Sequence, residues 1–392
     1  MDPASGGPCQ GIRNSNPEMV RLGSSREVVS LDDPNAAFLG TDDFPIHALG
    51  PAIGPWQFTS KLRPWLFANI GRFDVIIING LWIYSSYAGW RVMRALKKNQ
   101  ADKKEKVPKL FVMPHGMLDP YFQRAADRRL KALRNLIYWW FIEKKVVNEA
   151  DGVLFTCETE LLLARETFSD YHPKKEINVG YGIIPPPEHT GQLKTAFVEK
   201  CPGVGQDEYL LFFSRVHQKK GVDILIKAYA AIKQQAIASN RIIPKLVISG
   251  PGLKTLFGKK MTRLADSFPE IADSVFFTGM LTGNAKWGAL YGCQAFVLPS
   301  HQENFGIAVV EALSCGKPVL ISNQINIWIE IKDGGGGIVV PDTLEGTIAM
   351  LNQWLNLSDE DRRKMANCAL HVFKDYFHIE PSSAFFLKAI AL

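Results

Sequence analysis

The sequence predicts an α/β protein made of two Rossmann-like domains that face each other across a cleft. The chain has 392 residues, a length that favours two domains over one. Short apolar runs alternate with amphipathic stretches of helical length, as in proteins with parallel sheets. A segment rich in proline and glycine, residues 184–206, separates two halves of similar size. It predicts the connection between the domains.

Strands are predicted where short apolar runs stand between turn signals. Those of the first half are 27–30, 75–79, 110–113, 152–155 and 177–179. Those of the second half are 209–214, 245–249, 275–278, 295–298, 318–321 and 337–340. We assign residues 1–190 to an N-terminal domain, 206–374 to a C-terminal domain, and 375–392 to a helix that crosses back to the first domain.

The composition excludes several classes of protein. Hydrophobic residues make up 46% and charged residues 21%, which is typical of a soluble globular chain. No apolar run approaches the ~20 residues of a membrane span, and the N-terminus lacks the features of a secretory signal. The six cysteines never form a Cys-x-x-Cys pair, so a disulfide framework or structural zinc is not expected. We expect a cytoplasmic location, with the inner face of the membrane as an alternative.

The first residues contain a glycine loop without the strand that normally precedes one. Ser5-Gly6-Gly7-Pro8 is typical of the turn between the first strand and first helix of a Rossmann-like half, with the helix starting at about Gln10. Only four residues precede this loop, and the missing strand is usually central in its sheet. We therefore expect a truncated gene model or a fragment that lacks the first strand of the N-terminal domain.

Positive charge is concentrated in one stretch of the chain. Residues 94–145 hold 14 Lys or Arg against five Asp or Glu. Residues 97–106 suggest a solvated loop, and residues 124–145 suggest a basic helix rich in aromatic side chains. Such a helix can lie on an anionic membrane surface, but we favour a helix that packs on a sheet with its basic face in water. Nucleic-acid binding is not expected, because no recognised module accompanies the charge.

The most informative segment is residues 298–313, in which a strand ends, a polar loop follows and a helix begins near residues 304–306. Glu303 precedes the helix, and Glu311 lies about two turns along it. The backbone N–H groups of such a helix suit an anion such as a diphosphate, and a carboxylate can accept hydrogen bonds from sugar hydroxyls. On spacing alone, a helix-capping acid followed by a solvent-facing acid is the better interpretation.

A second segment, residues 212–229, changes that balance. A strand delivers Arg215, a tight loop delivers Lys220 and Gly221, and an amphipathic helix follows. Two fixed cations can neutralise the charge that grows on a diphosphate leaving group. The alternative is a basic surface loop, but the order and separation of the two segments make coincidence improbable.

Together, these segments resemble the retaining glycosyltransferases of family 4, which have the two-domain GT-B fold. The resemblance covers nearly the whole chain and is strongest over residues 210–340. The Glu-x7-Glu pattern with an interposed Asn-Phe-Gly is specific. The Arg-x4-Lys-Gly loop, Ser249-Gly250-Pro251-Gly252 and Phe277-Thr278-Gly279 follow in the expected order.

The resemblance implies a donor site in the C-terminal domain. Arg215 and Lys220 would hold the donor phosphates, Glu303 would be a catalytic residue that contacts the donor sugar, and the backbone of residues 279–281 would line the base pocket. The backbone of residues 304–308 would hold sugar and phosphate, and Glu311 would bind the ribose. The expected donor-sugar and ribose-binding residues are Asn304, Phe305, Gly306, Ile307 and Glu311.

In the N-terminal, acceptor-side domain the match is looser. His115 follows a strand and aligns with the family histidine near the reacting centre, so we expect it to be catalytic. Gly6 and Gly7 would approach the donor phosphates or the acceptor. Asn79 stands where relatives often carry His, and Tyr181 replaces the Asn of the usual Asn-Gly pair. The roles of these two positions are left open.

The resemblance also implies the reaction partners. We expect a nucleotide-sugar donor, with a UDP-sugar favoured over a GDP-sugar, a glycan or lipid-linked acceptor, and no cofactor. We expect no metal either, because the only Asp-x-Asp pattern, Asp359-Glu360-Asp361, follows Ser358 as a helix N-terminus would.

The expected reaction is transfer of a hexosyl-type sugar with retention, as in polysaccharide biosynthesis. Two alternatives remain: an inactive or truncated relative that only binds nucleotide, and a GT-B phosphorylase that uses inorganic phosphate.

Overall fold

The structure is a computed structural model that describes residues 1–2, 6–100, 107–125 and 128–391. The chain forms two compact units. The first unit comprises Met1–Gly182 and Ile379–Leu392, and the second comprises Ile183–His378. Among the described residues, no helix is long and apolar enough to cross a bilayer. All six cysteines are free thiols.

The elements of the first unit alternate between strands and helices. Its strands are β1 (Val28–Ser30), β2 (Ile46–Ala48), β3 (Val75–Asn79), β4 (Lys109–Met113), β5 (Gly152–Phe155) and β6 (Glu176–Asn178). Its helices are α1 (Gly7–Arg21), α2 (Leu62–Asn69), α3 (Tyr84–Gln100), α4 (Tyr121–Arg124), α5 (Arg129–Tyr138), α6 (Lys144–Glu149), α7 (Glu158–Ala164) and, from the end of the chain, α16 (Ile379–Ala391). A π-helical turn, Trp139–Glu143, joins α5 to α6.

The second unit follows the same alternation. Its strands are β7 (Tyr209–Phe213), β8 (Lys245–Ser249), β9 (Val275–Gly279), β10 (Ala295–Leu298), β11 (Val319–Ser322) and β12 (Gly337–Val340). Its helices are α8 (Gly191–Lys200), α9 (Val222–Ala238), α10 (Leu256–Asp266), α11 (Gly283–Gly292), α12 (Ile307–Ser314), α13 (Trp328–Asp333), α14 (Leu344–Asn356) and α15 (Asp359–Val372).

Every predicted strand is present, and one strand was missed. In the first unit β3, β4, β5 and β6 form a parallel sheet in that order, while β1 and β2 pair as a separate two-stranded sheet. The missed strand is β2, whose three residues Ile-His-Ala carry no apolar run. Alternate residues of β4 face opposite sides: Val112 packs with Trp139 in one core cluster, and Met113 packs with Ala389 of α16 in another. Burial on both faces explains the continuous apolar runs of these strands.

The second unit is a six-stranded, all-parallel sheet in the order β12-β11-β10-β7-β8-β9. β7 and β10 are central neighbours although they are not consecutive in sequence. The chain moves outward in one direction from β7 and in the other from β10. This is the topological switch point at which open α/β sheets bind ligands, beyond the carboxyl ends of the strands.

The segment predicted as a connection is instead part of the second unit. Residues 191–200 form α8, which packs against α11, because Leu193 and Phe197 lie one turn apart and are both buried. A Cβ at Gly288 of α11 would come within 1.9 Å of the Leu193 carbonyl oxygen, so the two helices approach closely. Among the described residues, the division between the units falls after Gly182 and again before Ile379.

Two further boundaries differ from the predicted ones. α1 begins at Gly7 rather than Gln10, since Pro8 fits the first turn of a helix. Lys97 and Lys98 form the last turn of α3 rather than a loop, and the ammonium group of Lys97 pairs with Asp151 at 2.7 Å. Ser5 and residues 101–106 lie outside the described part of the chain.

The preferred interpretation of the basic aromatic stretch is wrong. On α5 only a narrow stripe that includes Asn135 faces the protein, and Trp139 continues that stripe into the π-helical turn. The apolar side chains expected to pack on a sheet are instead exposed. They are Leu130, Leu133, Leu136, Ile137, Trp140 and Phe141. Ala126 and Asp127 of this stretch lie outside the described residues.

Candidate active site

Loops at the carboxyl ends of the central strands are joined by hydrogen bonds in the second unit. The loop after β7 meets the loop after β8, where the Val216 N–H donates to the Pro251 carbonyl at 2.8 Å. It also meets the loop after β10, since the Lys219 carbonyl accepts from the Ser300 hydroxyl and the His301 N–H, each at 2.8 Å. The Arg-Lys segment and the glutamate segment are therefore one structural feature.

Gly221 permits the closest approach between these two loops. Its φ is +65°, in the left-handed region that favours glycine. A Cβ at this position would lie 2.0 Å from the Pro299 carbonyl oxygen. The glycine after Lys220 is thus required both by backbone conformation and by contact with the loop after β10.

Lys220 and Glu303 form an ion pair in which the ammonium group donates to the Glu303 carboxylate. Lys220 is only 6% exposed. Burial, together with the positive charges of Arg215 and Lys219, lowers the pKa of Lys220 to about 7. Arg215 is exposed at the end of β7. Two cations held this close together favour the binding of an anion.

Glu303 is fixed by its backbone as well as by Lys220. Its N–H donates to the Gln324 carbonyl at 2.9 Å, and its own carbonyl accepts from the Asn326 N–H at 3.0 Å. Because both backbone groups are engaged, the carboxylate projects from a rigid loop at the switch point.

The helix after Glu303 starts later than predicted. Gly306 has φ +82°, which ends the loop, and α12 begins at Ile307. Glu311 is therefore the fifth residue of the helix, little more than one turn along it. The N–H groups of Ile307 and Ala308 have no acceptor within the helix, whereas those of Val309 and Val310 both donate to the Gly306 carbonyl. The Ile307 and Ala308 groups add a positive dipole end next to the Lys220–Glu303 pair.

Glu311 is not the solvent-facing acid of the alternative interpretation. It is 9% exposed, and its carboxylate accepts from the Lys286 ammonium group at 2.6 Å. Burial raises the pKa of Glu311, and Lys286 opposes that shift. Lys286 could not be identified from the sequence, because this residue lies 25 residues before Glu311 on α11 and belongs to no motif.

The predicted base-pocket residues lie at the end of β9. The Gly250 N–H donates to the Gly279 carbonyl at 2.8 Å, which joins the loop after β8 to this segment. Met280 is 67% exposed, whereas Leu281 is buried. Asn304 and Phe305 lie in the bend before α12, where Phe305 packs edge-to-face on Phe377 at 5.6 Å between ring centroids.

In the first unit the structure brings His115 and Asn79 together. Asn79 ends β3, and His115 follows β4, the neighbouring strand. Asn79 lies opposite Met113 in the register of the two strands. The Asn79 amide oxygen accepts from the His115 ring Nε2 at 2.8 Å. Desolvation lowers the pKa of His115, so the neutral imidazole predominates at neutral pH. Asn79, whose role the sequence left open, is thus the partner of the candidate catalytic histidine.

A buried carboxylate that the sequence analysis missed holds the His115 loop. His115 has φ +51° and Gly116 has φ +79°, a strained arrangement that needs external support. Glu160 of α7 supplies it: one carboxylate oxygen accepts from the Gly116 N–H at 2.5 Å. The other accepts from the Thr156 N–H at 2.8 Å and the Thr156 hydroxyl at 2.6 Å. Glu160 lies four residues after Thr156, and the N-cap of α7 is Cys157, so the Ser/Thr-x-x-Glu pattern of a capping box is absent and gave no signal for this contact.

A second buried carboxylate supports the loop after β3. Glu143, in the π-helical turn, accepts from the Trp82 N–H at 2.8 Å and from the Ser86 hydroxyl at 2.7 Å. Trp82 has φ +71°. Burial raises the pKa of Glu143 to about 7. Both strand-end loops of the first unit are therefore tied down by acids with no signal in the motifs.

Gly6 is the N-cap of α1, and Gly7 is the first residue of that helix. Gly6 has φ +92°, and the Gly7 carbonyl accepts from the Tyr181 hydroxyl at 2.8 Å. A Cβ at Gly11 would collide with the same hydroxyl. Tyr181, which departs from the family pattern, therefore packs against α1.

The fold and these loops define the protein as a GT-B glycosyltransferase. Two family models match the chain: "Glycosyl transferase 4-like domain" over residues 6–175 and "Glycosyl transferases group 1" over residues 196–371. The chain belongs to the family 4, or group 1, glycosyltransferases. The predicted family and fold are confirmed.

Relatives match only part of the chain. Over 209 residues it is 30% identical to D-inositol 3-phosphate glycosyltransferase of Gordonia bronchialis, covering 50% of this chain and 43% of the relative. Over 136 residues it is 28% identical to the serotype-specific mannosyltransferase WbdA of Escherichia coli, covering 35% of this chain and 15% of the relative. The match thus spans less than half the length of these curated relatives.

Solved structures share the fold over nearly the whole chain. Sucrose-phosphate synthase from Thermosynechococcus elongatus superposes with a TM-score of 0.72 at 18% identity, covering 98% of this chain and 93% of that one. Anabaena HepE in complex with UDP-glucose superposes with a TM-score of 0.67 at 16% identity, covering 97% and 94%. At these identities the likeness shows the fold alone.

The Asp-x-Asp pattern lies where the sequence analysis placed it. Asp359 and Asp361 form the first turn of α15, and the Ser358 hydroxyl accepts from the Asp361 N–H at 3.1 Å. Among the described residues, no group of three His, Cys, Asp or Glu side chains is placed to hold a metal ion.

The contact at Gly221 predicts a specific stability effect. Gly221→Ala should lower the free energy of unfolding by about 3 kcal/mol, because left-handed strain and collision with Pro299 add together. Urea denaturation measures this. Gly23→Ala is the matched control, since Gly23 has φ +81° at the end of α1, where the Ser24 N–H donates to the Met19 carbonyl as in a Schellman motif, but has open space around its Cβ, and it should cost only about 1 kcal/mol. Equal losses in the two variants would refute the close-contact argument.

Glu160 should control the His115 loop. Glu160→Gln places an amide N–H₂ against a donor, and should lower the free energy of unfolding by about 2 kcal/mol. It should also shift the NMR resonances of the His115 imidazole. Glu158→Gln, on an exposed side chain of the same turn, should do neither. An unchanged His115 spectrum in Glu160→Gln would show that the carboxylate does not position that loop.

Proposed function

We propose that the protein transfers a hexosyl-type sugar from a nucleotide-diphosphate sugar to a glycan or lipid-linked acceptor, with retention of configuration. The observation that carries this proposal is the buried Lys220, which feels the charge of Arg215 and pairs with Glu303 just before the N-terminus of α12, at the switch point of the second unit. That arrangement suits a diphosphate because fixed positive charge and backbone N–H groups lie together.

In this proposal Arg215, Lys220 and the first turn of α12 neutralise the leaving diphosphate, so no metal or cofactor is needed. Glu303 contacts the donor sugar, and Glu311, held by Lys286, accepts hydrogen bonds from the ribose hydroxyls. We favour a UDP-sugar over a GDP-sugar, and the HepE complexes with UDP-glucose and with UDP and glucose support that choice.

For the reaction we propose front-face attack by the acceptor hydroxyl. The acceptor oxygen bonds to the anomeric carbon on the side from which the diphosphate leaves, and the departing phosphate oxygen takes the acceptor proton. Two observations support this choice. Glu303 is engaged by Lys220 rather than free to act as a nucleophile, and His115 is neutral and can accept a hydrogen bond from a sugar hydroxyl.

Binding of UDP-glucose, GDP-glucose and ADP-glucose, measured by isothermal titration calorimetry, tests the donor site. We expect UDP-glucose to bind, with affinity lowered about tenfold or more in Arg215→Ala and Glu311→Ala, since each loses a charge-assisted hydrogen bond of ~1.5–3 kcal/mol. Arg263→Ala, an exposed arginine on α10, is the control and should bind normally. Normal binding by both site variants would contradict the proposal.

Turnover separates the transferase from a phosphorylase. With UDP-glucose and a glycan acceptor, we expect UDP release that is independent of inorganic phosphate. Release of a sugar phosphate that requires phosphate would favour the phosphorylase instead. Binding without turnover would favour a relative that only binds nucleotide.

Donor binding should depend on pH through Lys220. A bound diphosphate raises the pKa of Lys220 above its value of about 7 in the free protein. Affinity is therefore fully present below pH 7 and falls as the pH rises through the pKa of the complex, by up to ~10-fold per pH unit. UDP-glucose is the suitable probe, because its diphosphate does not titrate in this range.

Proton uptake provides the direct measurement. Titrations near pH 8 in two buffers of different ionisation enthalpy should show uptake of protons on binding. Lys220→Arg should remove that uptake, because a guanidinium stays charged. If the wild-type protein takes up no proton, Lys220 does not bind the diphosphate in the way proposed.

A further inference from the structure

We propose that the first unit binds an anionic lipid surface through α5 and the π-helical turn that follows it. We call this surface the basic apolar face. It consists of the apolar side chains of Leu130, Leu133, Leu136, Ile137, Trp140 and Phe141 and the cations Arg129, Arg134 and Lys145. This inference rests on the proposed function, because it concerns the acceptor of that reaction. It favours a lipid-linked acceptor over a free glycan.

The apolar side chains of this face are far more exposed than a water-facing helix requires. Leu130 is 86% exposed, Phe141 74%, Leu133 57% and Trp140 51%. Single exposed apolar residues are ordinary, but six within twelve residues form a contiguous patch, and such patches mark interaction sites.

Helix geometry arranges the charges beside the apolar residues. Leu130, Leu133 and Ile137 have i, i+3 and i+7 spacing, so they form one stripe on the side opposite Asn135. At 100° per residue, Arg129 and Arg134 flank that stripe on its two sides. An apolar centre with cations at its edges is the pattern of helices that lie in a membrane interface.

The face contains no accessible carboxylate among its described residues. Between residues 128 and 145 the only acid is Glu143, which is buried and engaged by Trp82 and Ser86. A second copy of this chain is therefore a poor occupant, because a twofold contact would place like charges against each other. A surface of anionic headgroups complements both features of the face.

The face is also held rigidly. Trp139 stacks on Phe168 with ring centroids 4.3 Å apart, and Lys144, which pairs with Asp170 at 2.8 Å, lies over the Trp140 ring at 4.8 Å. Because α5 continues into a turn anchored in the core, its outer side chains are presented together and need little ordering on binding.

Vesicle flotation with the full chain tests this inference. We compare vesicles of phosphatidylcholine alone with vesicles that contain about one third phosphatidylglycerol. The wild-type protein should bind only the anionic vesicles, and less as salt is raised. Arg129→Gln/Arg134→Gln should weaken binding about 30-fold, since each cation near such a surface contributes about a factor of five. Leu133→Ser/Ile137→Ser should weaken it at least about tenfold.

α10 supplies matched controls within the same chain. Its Leu256 is 90% exposed, and Lys259 and Lys260 are exposed on the next turn. Leu256→Ser and Lys259→Gln/Lys260→Gln should leave vesicle binding unchanged. Equal losses in these variants would show only an unspecific effect of net charge, and would overturn the proposal.

Other outcomes are equally decisive. Absence of binding to anionic vesicles overturns the proposal, as does a stable dimer, measured by light scattering, that Leu133→Ser/Ile137→Ser converts to a monomer. UDP-glucose binding by all these variants is measured in parallel. The proposed nucleotide-binding residues lie in the second unit, so the two proposals can fail separately. Loss of vesicle binding with normal UDP-glucose binding leaves the proposed transferase function intact. Vesicle binding by a protein that does not bind UDP-glucose refutes the transferase function alone.

Discussion

The contact between the Lys219–Gly221 turn and the loop after β10 determines most of what the second unit can do. Parallel strands that diverge at β7 and β10 leave their carboxyl ends open to ligands, but the loops at that edge need a fixed relation to form a site. The Lys219 carbonyl, the close approach of Gly221 to Pro299, and the Lys220–Glu303 pair supply that relation. It also places the Lys220–Glu303 pair next to the start of α12, since a Cβ at Gly306 would lie 3.4 Å from the Glu303 Cγ.

The same contact buries positive charge, as an anion-binding site does. Burying an ammonium group beside a guanidinium is unfavourable, and a single carboxylate, Glu303, offsets only part of the charge. A diphosphate would complete the neutralisation, so the free protein is poised for an anionic ligand. In the first unit, buried carboxylates also support the strand-end loops. The strained residues His115 and Trp82 lie in loops held by the buried acids Glu160 and Glu143. Strained backbone persists only where the surrounding structure supports it, and it is concentrated at functional sites.

The strands and the two motifs of the second unit could be predicted from sequence because each depends on local pattern. Apolar runs between turn signals define β7 to β12, and the Glu-x7-Glu spacing carries the family resemblance. The pairings of Lys286 with Glu311 and of Asn79 with His115 could not be predicted, because they join elements that only the folded sheet brings together. The predicted start of α12 is too early, because the left-handed conformation of Gly306 ends the loop there and the Asn-Phe-Gly pattern does not specify it.

The exposure of the basic apolar face was wrongly predicted for a related reason. The amphipathic pattern of α5 predicts that one side of the helix is apolar. It does not determine which side packs on the core, because that depends on the neighbouring elements. Here Asn135 and Trp139 take the inner stripe, and the leucines face outward. The prolines and glycines of residues 184–206 likewise predicted a connection, whereas Leu193 and Phe197 bury α8 against α11.

A crystal structure of the protein with a bound UDP-sugar tests the central claim most directly. We predict that the diphosphate lies within hydrogen-bonding distance of Arg215, Lys220 and the first-turn N–H groups of α12, with the ribose at Glu311. A nucleotide bound elsewhere, or a diphosphate that contacts neither cation, would contradict the assignment of the switch point as the donor site.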